Sequence, residues 1–105
     1  MENQLSQLPK LLVKLETLMF TIEQIKKQFS QFTTETILKD YNELIQHFGI
    51  AQDTVKSLET HINKLEKIKV IARFYTKNID NNVIVYYKIN YPIQTCYDKI
   101  KEYYA

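Results

Sequence analysis

Residues 32–68, "FTTETILKDYNELIQHFGIAQDTVKSLETHINKLEKI", carry the pattern on which the fold turns. Tyr41, Phe48, Val55 and Ile62 recur every seven residues. Ile37, Leu44, Ala51, Leu58 and Leu65 repeat the period at an offset of three. That is the a/d spacing of a helix presenting one apolar stripe, and Leu38 and Ile45 widen it. Thr33 or Thr34 can cap the helix, with Glu35 favourably placed in its first turn. Gly49 falls on the outer face, where it lowers helix propensity by ~1 kcal/mol without having to end the helix. The stretch reads as one long helix whose histidines, acids and hydroxyls clothe its solvated back.

Upstream, Leu8, Leu15, Ile22 and Phe29 keep the same period, offset from Leu11, Leu18, Ile25 and Phe32. Leu5, Leu12 and Met19 broaden this stripe too, which suits a helical bundle better than a bare two-stranded coil. Pro9 places the regular start of this helix near itself. So short a connection between two long helices predicts an antiparallel helical hairpin or coiled coil. After residue 68 the period changes. "KVIARFYTKNIDNNVIVYYKINYP" is rich in β-branched and aromatic residues, which predicts a β-hairpin of 70–76 against 83–89 with "IDNN" as its turn. Ile93, Cys96, Tyr97, Ile100, Tyr103 and Tyr104 then recur at the spacing of a short amphipathic C-terminal helix. The predicted fold is mainly α, with a helical hairpin over 1–68 and a β-hairpin plus helix over 69–105.

Composition narrows the function. The 105 residues are enough for one modest core, and one glycine with two prolines is too little punctuation for an all-β fold. A net charge of +2, with lysines scattered among acids, argues against nucleic acid as the partner. One cysteine excludes an internal disulfide. "MENQLSQLPK" has an acid where a secretion leader would be basic, and no apolar run approaches the ~20 residues of a membrane span. The expectation is a soluble intracellular protein.

Nothing in the pattern demands catalysis. His47 and His61 are fourteen residues apart, about 21 Å along one helix at ~1.5 Å per residue, so they cannot share an ion within the chain. Both flank the stripe as half-exposed polar residues. Cys96 reads as a small buried hydrophobe. Asp40 and Glu43 face different directions, without the convergence that acid–base work needs. No glycine-rich phosphate loop is present. The expectation is a protein that is not an enzyme and holds no cofactor or metal. The tyrosines crowded between Tyr86 and Tyr104 suit either the hairpin's core or a C-terminal aromatic interface.

Each stripe is broader than one neighbouring helix can cover, and wet apolar surface costs ~25 cal/mol per Å². The stripes therefore predict protein subunits as partners, bound through Leu8, Leu11, Leu15, Leu18, Ile22, Ile25 and Phe29 on the first helix. On the second helix the same role falls to Ile37, Tyr41, Leu44, Phe48, Val55, Leu58, Ile62 and Leu65.

The run "FTTETILKDYNELIQHFGIAQDTVKSLE" resembles the core of Mediator subunit eight, from the head module of the RNA polymerase II coactivator. Phe32 and Thr33 are similar to that family's helix junction, Ile37 and Leu38 to the apolar pair that opens its second helix, and Tyr41, Leu44 and Phe48 to the apolar positions further along that helix. "KIKVIARF" is similar to its basic step into a Val/Ile-rich segment. Thr34 and Glu35 stand where that family has Trp-Pro, and its longer C-terminal tether has no counterpart here. The resemblance implies a nuclear scaffold subunit in transcription regulation, joined to other subunits through a helical bundle. A self-associating cytoplasmic adaptor is the alternative, and a small nucleic-acid-binding regulator with the hairpin as a wing-like element is a third reading.

Overall fold

A computed structural model describes the backbone of residues 2–77 and 83–105, and the side chains of 10–75 and 84–105. In chain order the described elements are α1 (Glu2–Gln28), α2 (Thr34–His47), α3 (Val55–Lys67), β1 (Ile71–Lys77), β2 (Val83–Ile89) and α4 (Ile93–Tyr104). The mainly helical class, the antiparallel strand pair and the C-terminal helix agree with the sequence pattern. Two boundaries do not. α1 already runs from Glu2, so Pro9 lies within it. The expected single helix of 34–65 is two helices.

Gly49 makes that break. Its φ is +73°, the left-handed conformation that glycine adopts without a Cβ penalty. The Gly49 N–H donates to Gln46 O at 3.0 Å and the Ile50 N–H to Ile45 O at 3.1 Å. These paired bonds are a Schellman ending, which satisfies carbonyls that a terminated helix leaves open. Five residues after Gly49, Thr54 restarts the helix, its hydroxyl accepting from the Ser57 N–H at 3.2 Å. α2 and α3 each turn an apolar stripe to the same interior, while Phe48, Ala51 and Val55 around the break are exposed. α3 ends the same way: the Val70 N–H donates to Leu65 O, but the left-handed residue is Lys69, φ 65°.

The strands pair Ile71 with Ile89 through Lys77 with Val83. The turn expected at 79–82 lies outside the described residues. Alternation sends Ile71, Val85 and Tyr87 inward, while Phe74 and Tyr86 stack on the outer face with centroids 5.1 Å apart. Between α1 and α2, Phe32 exchanges two backbone hydrogen bonds with Val85 and stacks on Tyr87 at 5.7 Å, lashing the helices to β2.

One cluster of buried side chains draws on every element: Leu15, Leu18, Met19 and Ile22 from α1, Ile37, Tyr41 and Ile45 from α2, Leu58, Ile62 and Leu65 from α3, and Cys96 and Ile100 from α4, joined by the inward strand residues. α1 is the spine, packed on α2, α3, α4 and β2. Each fully buried Leu or Ile contributes roughly 1.5–3 kcal/mol. The wide stripes are thus met within the chain, by α3 folding back and by α4 and the hairpin closing over α1.

The two Schellman ends give opposite predictions. Gly49→Ala has open space for its Cβ, so only the left-handed backbone resists it, and stability in urea falls by about 1 kcal/mol. Lys69→Gly relieves the same strain and raises stability by a few tenths to about 1 kcal/mol. Equal and unchanged midpoints for both variants would contradict this explanation of the chain reversals.

Candidate nucleic-acid interface

The loop from Gly49 to Thr54 brings one acid, Asp53, to the junction of three helices. Lys14 of α1 donates to Asp53 Oδ1 at 3.0 Å, Tyr41 of α2 donates its hydroxyl to Oδ2 at 2.6 Å, and Ser57 of α3 reaches Oδ1 at 3.3 Å. Asn42 clasps the Asp53 backbone from both sides: its amide donates to the carbonyl at 3.0 Å and its oxygen accepts from the N–H at 2.8 Å. The Asp53 side chain is 8% exposed. A buried charge is tolerable only when paired and hydrogen-bonded, and here both conditions are met. Burial pushes the carboxyl upward, but the bonds from Tyr41 and Lys14 outweigh it and hold Asp53 below the usual carboxylate range. Burial beside the carboxylate pushes the Tyr41 phenol up.

His61 corrects the sequence reading. It is buried rather than half-exposed, with Nε2 3.4 Å from Asp53 Oδ2. Neither ring nitrogen has a hydrogen-bond partner among the described residues. Burial, helped by the nearby charges of Lys14 and Lys64, holds it below the ordinary histidine range despite the pull of Asp53.

A second clamp fixes the other side of α3. Arg73 of β1, the chain's one arginine, binds Glu59, reaches Glu66 Oε1 at 3.1 Å and donates to Asn63 Oδ1 at 3.1 Å. Burial disfavours its charge, but Glu59 and Glu66 hold it protonated. Glu59 and Glu66 are the only acids in α3; the one guanidinium binds both, offsets one of their two charges and draws them to the hairpin side.

Along its outermost line α3 carries lysines and no carboxylate, with Glu59 and Glu66 half-buried toward the hairpin. Leu58, His61, Ile62 and Leu65 face inward. Lys56, Thr60, Asn63 and Lys67 are exposed at intervals of four, three and four residues, a straight stripe along the outer face. It spans about 17 Å at ~1.5 Å per residue, and an α-helix of this breadth fits a B-DNA major groove. By contrast α2 exposes Glu35 and Glu43 beside Lys39. β1 and β2 follow α3 directly, with Lys88 exposed on the outer face of the hairpin near the stacked Phe74 and Tyr86.

The residues expected to meet other subunits are mostly spent in the core. Leu15, Leu18, Ile22, Ile25, Ile37, Tyr41, Leu58, Ile62 and Leu65 are buried, and Leu11 and Leu44 are half-buried. The side chain of Leu8 lies outside the described residues. Phe29, Phe48 and Val55 are exposed. Leu44 and Phe48 join Phe20 and Tyr97 along a shallow groove. Tyr87 belongs to the core, whereas Tyr86, Tyr91 and Tyr103 are exposed. Among the described residues no three His, Cys, Asp or Glu side chains gather as a metal site, and no helix is long and apolar enough to cross a membrane. Sequence reasoning passed over Asp53, Arg73 and the outer stripe of α3. The available signal was the lone arginine after a helix with two acids seven residues apart.

Comparison with known proteins gives this geometry a family and a fold. The family model described as Borrelia ORF-A matches residues 10–105. Curated proteins give no match. Among solved structures, the Aeropyrum pernix Orc1 protein in complex with DNA superposes with a TM-score of 0.70 at 11% identity, over 92% of this chain and 26% of that one. The chain therefore spans about a quarter of that protein, and the likeness is one of fold. The match to a spirochaete family overturns the resemblance to Mediator subunit eight. The resemblance rested on apolar spacing, which any helical core of this length reproduces. A nuclear location and a role in RNA polymerase II regulation fall with it, since a bacterium has no nucleus.

The Asp53 cluster makes stability acid-sensitive. His61 has a depressed folded-state pKa, so as pH falls through about 6.5, the ordinary histidine value, the unfolded chain gains a proton that the folded chain resists and stability declines. Asp53 is depressed too, so its contribution is complete above about 3.8 and is lost below it. Thermal melts between about pH 7 and 5 should show the first decline in the wild type and a flatter profile in His61→Gln. Asp53→Ala strands Lys14 and costs about 3–5 kcal/mol at pH 7. A parallel pH profile in His61→Gln would refute the assignment.

Proposed function

The chain belongs to the Borrelia ORF-A family, and on that premise we propose that it is a non-catalytic, duplex-DNA-binding module whose α3 enters the major groove while the β1–β2 hairpin lies alongside. The observation that carries this reading is the stripe of Lys56, Thr60, Asn63 and Lys67 on a helix whose only acids are held aside by Arg73. Two clamped helices followed by a hairpin match the connectivity of helix-turn-helix proteins that set a second helix in the groove. The Orc1 structure, which shares the fold, is of a protein in complex with DNA.

The small net charge does not oppose this. Affinity for the phosphate backbone depends on how many cations meet phosphates, rather than on the total for the chain. Lys56 lies in the first turn of α3, where the helix's free N–H groups also favour an anion. Lys67 lies in the last turn, so the two lysines bracket the polar pair that would face base edges.

Fluorescence anisotropy with a labelled duplex over a range of KCl concentrations tests the reading. Wild-type affinity falls steeply with salt. In Lys56→Gln/Lys67→Gln the slope of log affinity against log salt drops by about 2, one contact for each lysine, with the melting temperature unchanged. Absent binding, or an unchanged slope in the double variant, would defeat the proposal.

A further inference from the structure

The hydrogen-bonding character of the α3 stripe points to the base it reads, an inference that rests on the duplex-binding reading above. Asparagine in a major groove ordinarily reads adenine with both ends of its amide, accepting from N6 and donating to N7. Asn63 has its acceptor end already engaged, which biases it against that pairing. Arg73 can only donate, so it must meet the carbonyl end of the amide, and the Nη2-to-Oδ1 distance is 3.1 Å. Arg73 is itself held by Glu59 and Glu66, and its side chain is 8% exposed. The end of the amide that Arg73 does not hold is therefore its Nδ2 donors.

The neighbours reinforce the bias. Lys56 and Lys67 carry donors only. Thr60 gives its hydroxyl proton to Lys56 O at 3.1 Å, and its short side chain lies below the reach of the longer groups around it. Glu59 and Glu66, the acceptors that could take a cytosine or adenine amine, are engaged by Arg73. The outermost line of the helix, with donors and its two carboxylates drawn aside to Arg73, complements the base edge that offers two acceptors and no donor. In the major groove that edge is the N7 and O6 of guanine.

We propose that α3 selects guanine-bearing duplexes, with Asn63 as a donor-only specificity residue fixed in that state by Arg73. The probes are three labelled duplexes of equal length: one containing G·C pairs, one with A·T pairs in their place, and one with 7-deazaguanine, which lacks the N7 acceptor. The wild type should bind the G·C duplex about tenfold more tightly than either of the others. In Asn63→Asp the carboxylate still meets Arg73 but replaces the amide donor with an acceptor, so the preference falls to within about twofold while salt-dependent binding persists. Equal wild-type affinity for all three duplexes would overturn the guanine inference and leave duplex binding standing. Failure to bind any of them would overturn both. A preference that survives in Asn63→Asp would remove Asn63 from the role.

Discussion

Asp53 is the constraint on which the arrangement of helices depends. Its carboxylate is met by Lys14 from α1, Tyr41 from α2 and Ser57 from α3, and its backbone is held by Asn42. Apolar stripes alone would let helices slide or rotate against one another, because burial of greasy surface has no direction. Hydrogen bonds to a nearly buried charge do have direction, and a charge left without its partner costs several kcal/mol. The Gly49 reversal makes room for this acid, and the acid then fixes where α3 begins.

Arg73 completes the positioning from the opposite side and adds an electrostatic consequence. By binding Glu59 and Glu66 it joins the hairpin to α3 and offsets one of the two negative charges beside the lysine stripe. Desolvation normally makes buried ion pairs poor contributors to stability. Here the pairs hold the two carboxylates toward the hairpin, off the line of Lys56, Thr60, Asn63 and Lys67, and Arg73 engages the carbonyl end of the Asn63 amide. Packing, charge and hydrogen-bond polarity on α3 are consequences of the same contacts.

Much of the fold was legible in residue spacing. Most buried positions of α1, α2 and α3 lie on the apolar stripes, although Phe29, Phe48 and Val55 of the seven-residue pattern are exposed, and the hairpin and α4 followed from β-branched and helical periodicity. The break at Gly49 was not legible, because a glycine on the solvated face of a helix and a glycine ending one look alike until Thr54 is weighed as a second cap. The partner seam failed for a related reason. A stripe too broad for one neighbour implies more cover, and spacing cannot say whether that cover comes from other subunits or from α3, α4 and the hairpin. The outer face of α3 was read correctly as solvent-facing and then dismissed as clothing. Lys56, Thr60, Asn63 and Lys67 gain meaning only beside Arg73, which lies six residues beyond the end of α3 and meets its acids through tertiary contact.

If α3, braced by Asp53 and Arg73, is the face that meets duplex DNA, its backbone must feel the duplex first. Amide shifts followed by NMR during titration with a short duplex test this residue by residue. The largest changes are predicted between Thr54 and Lys67 and along the hairpin, while Phe20, Leu44 and Tyr97 stay still. Changes centred on those three residues with α3 unmoved, or no changes at all, would contradict it.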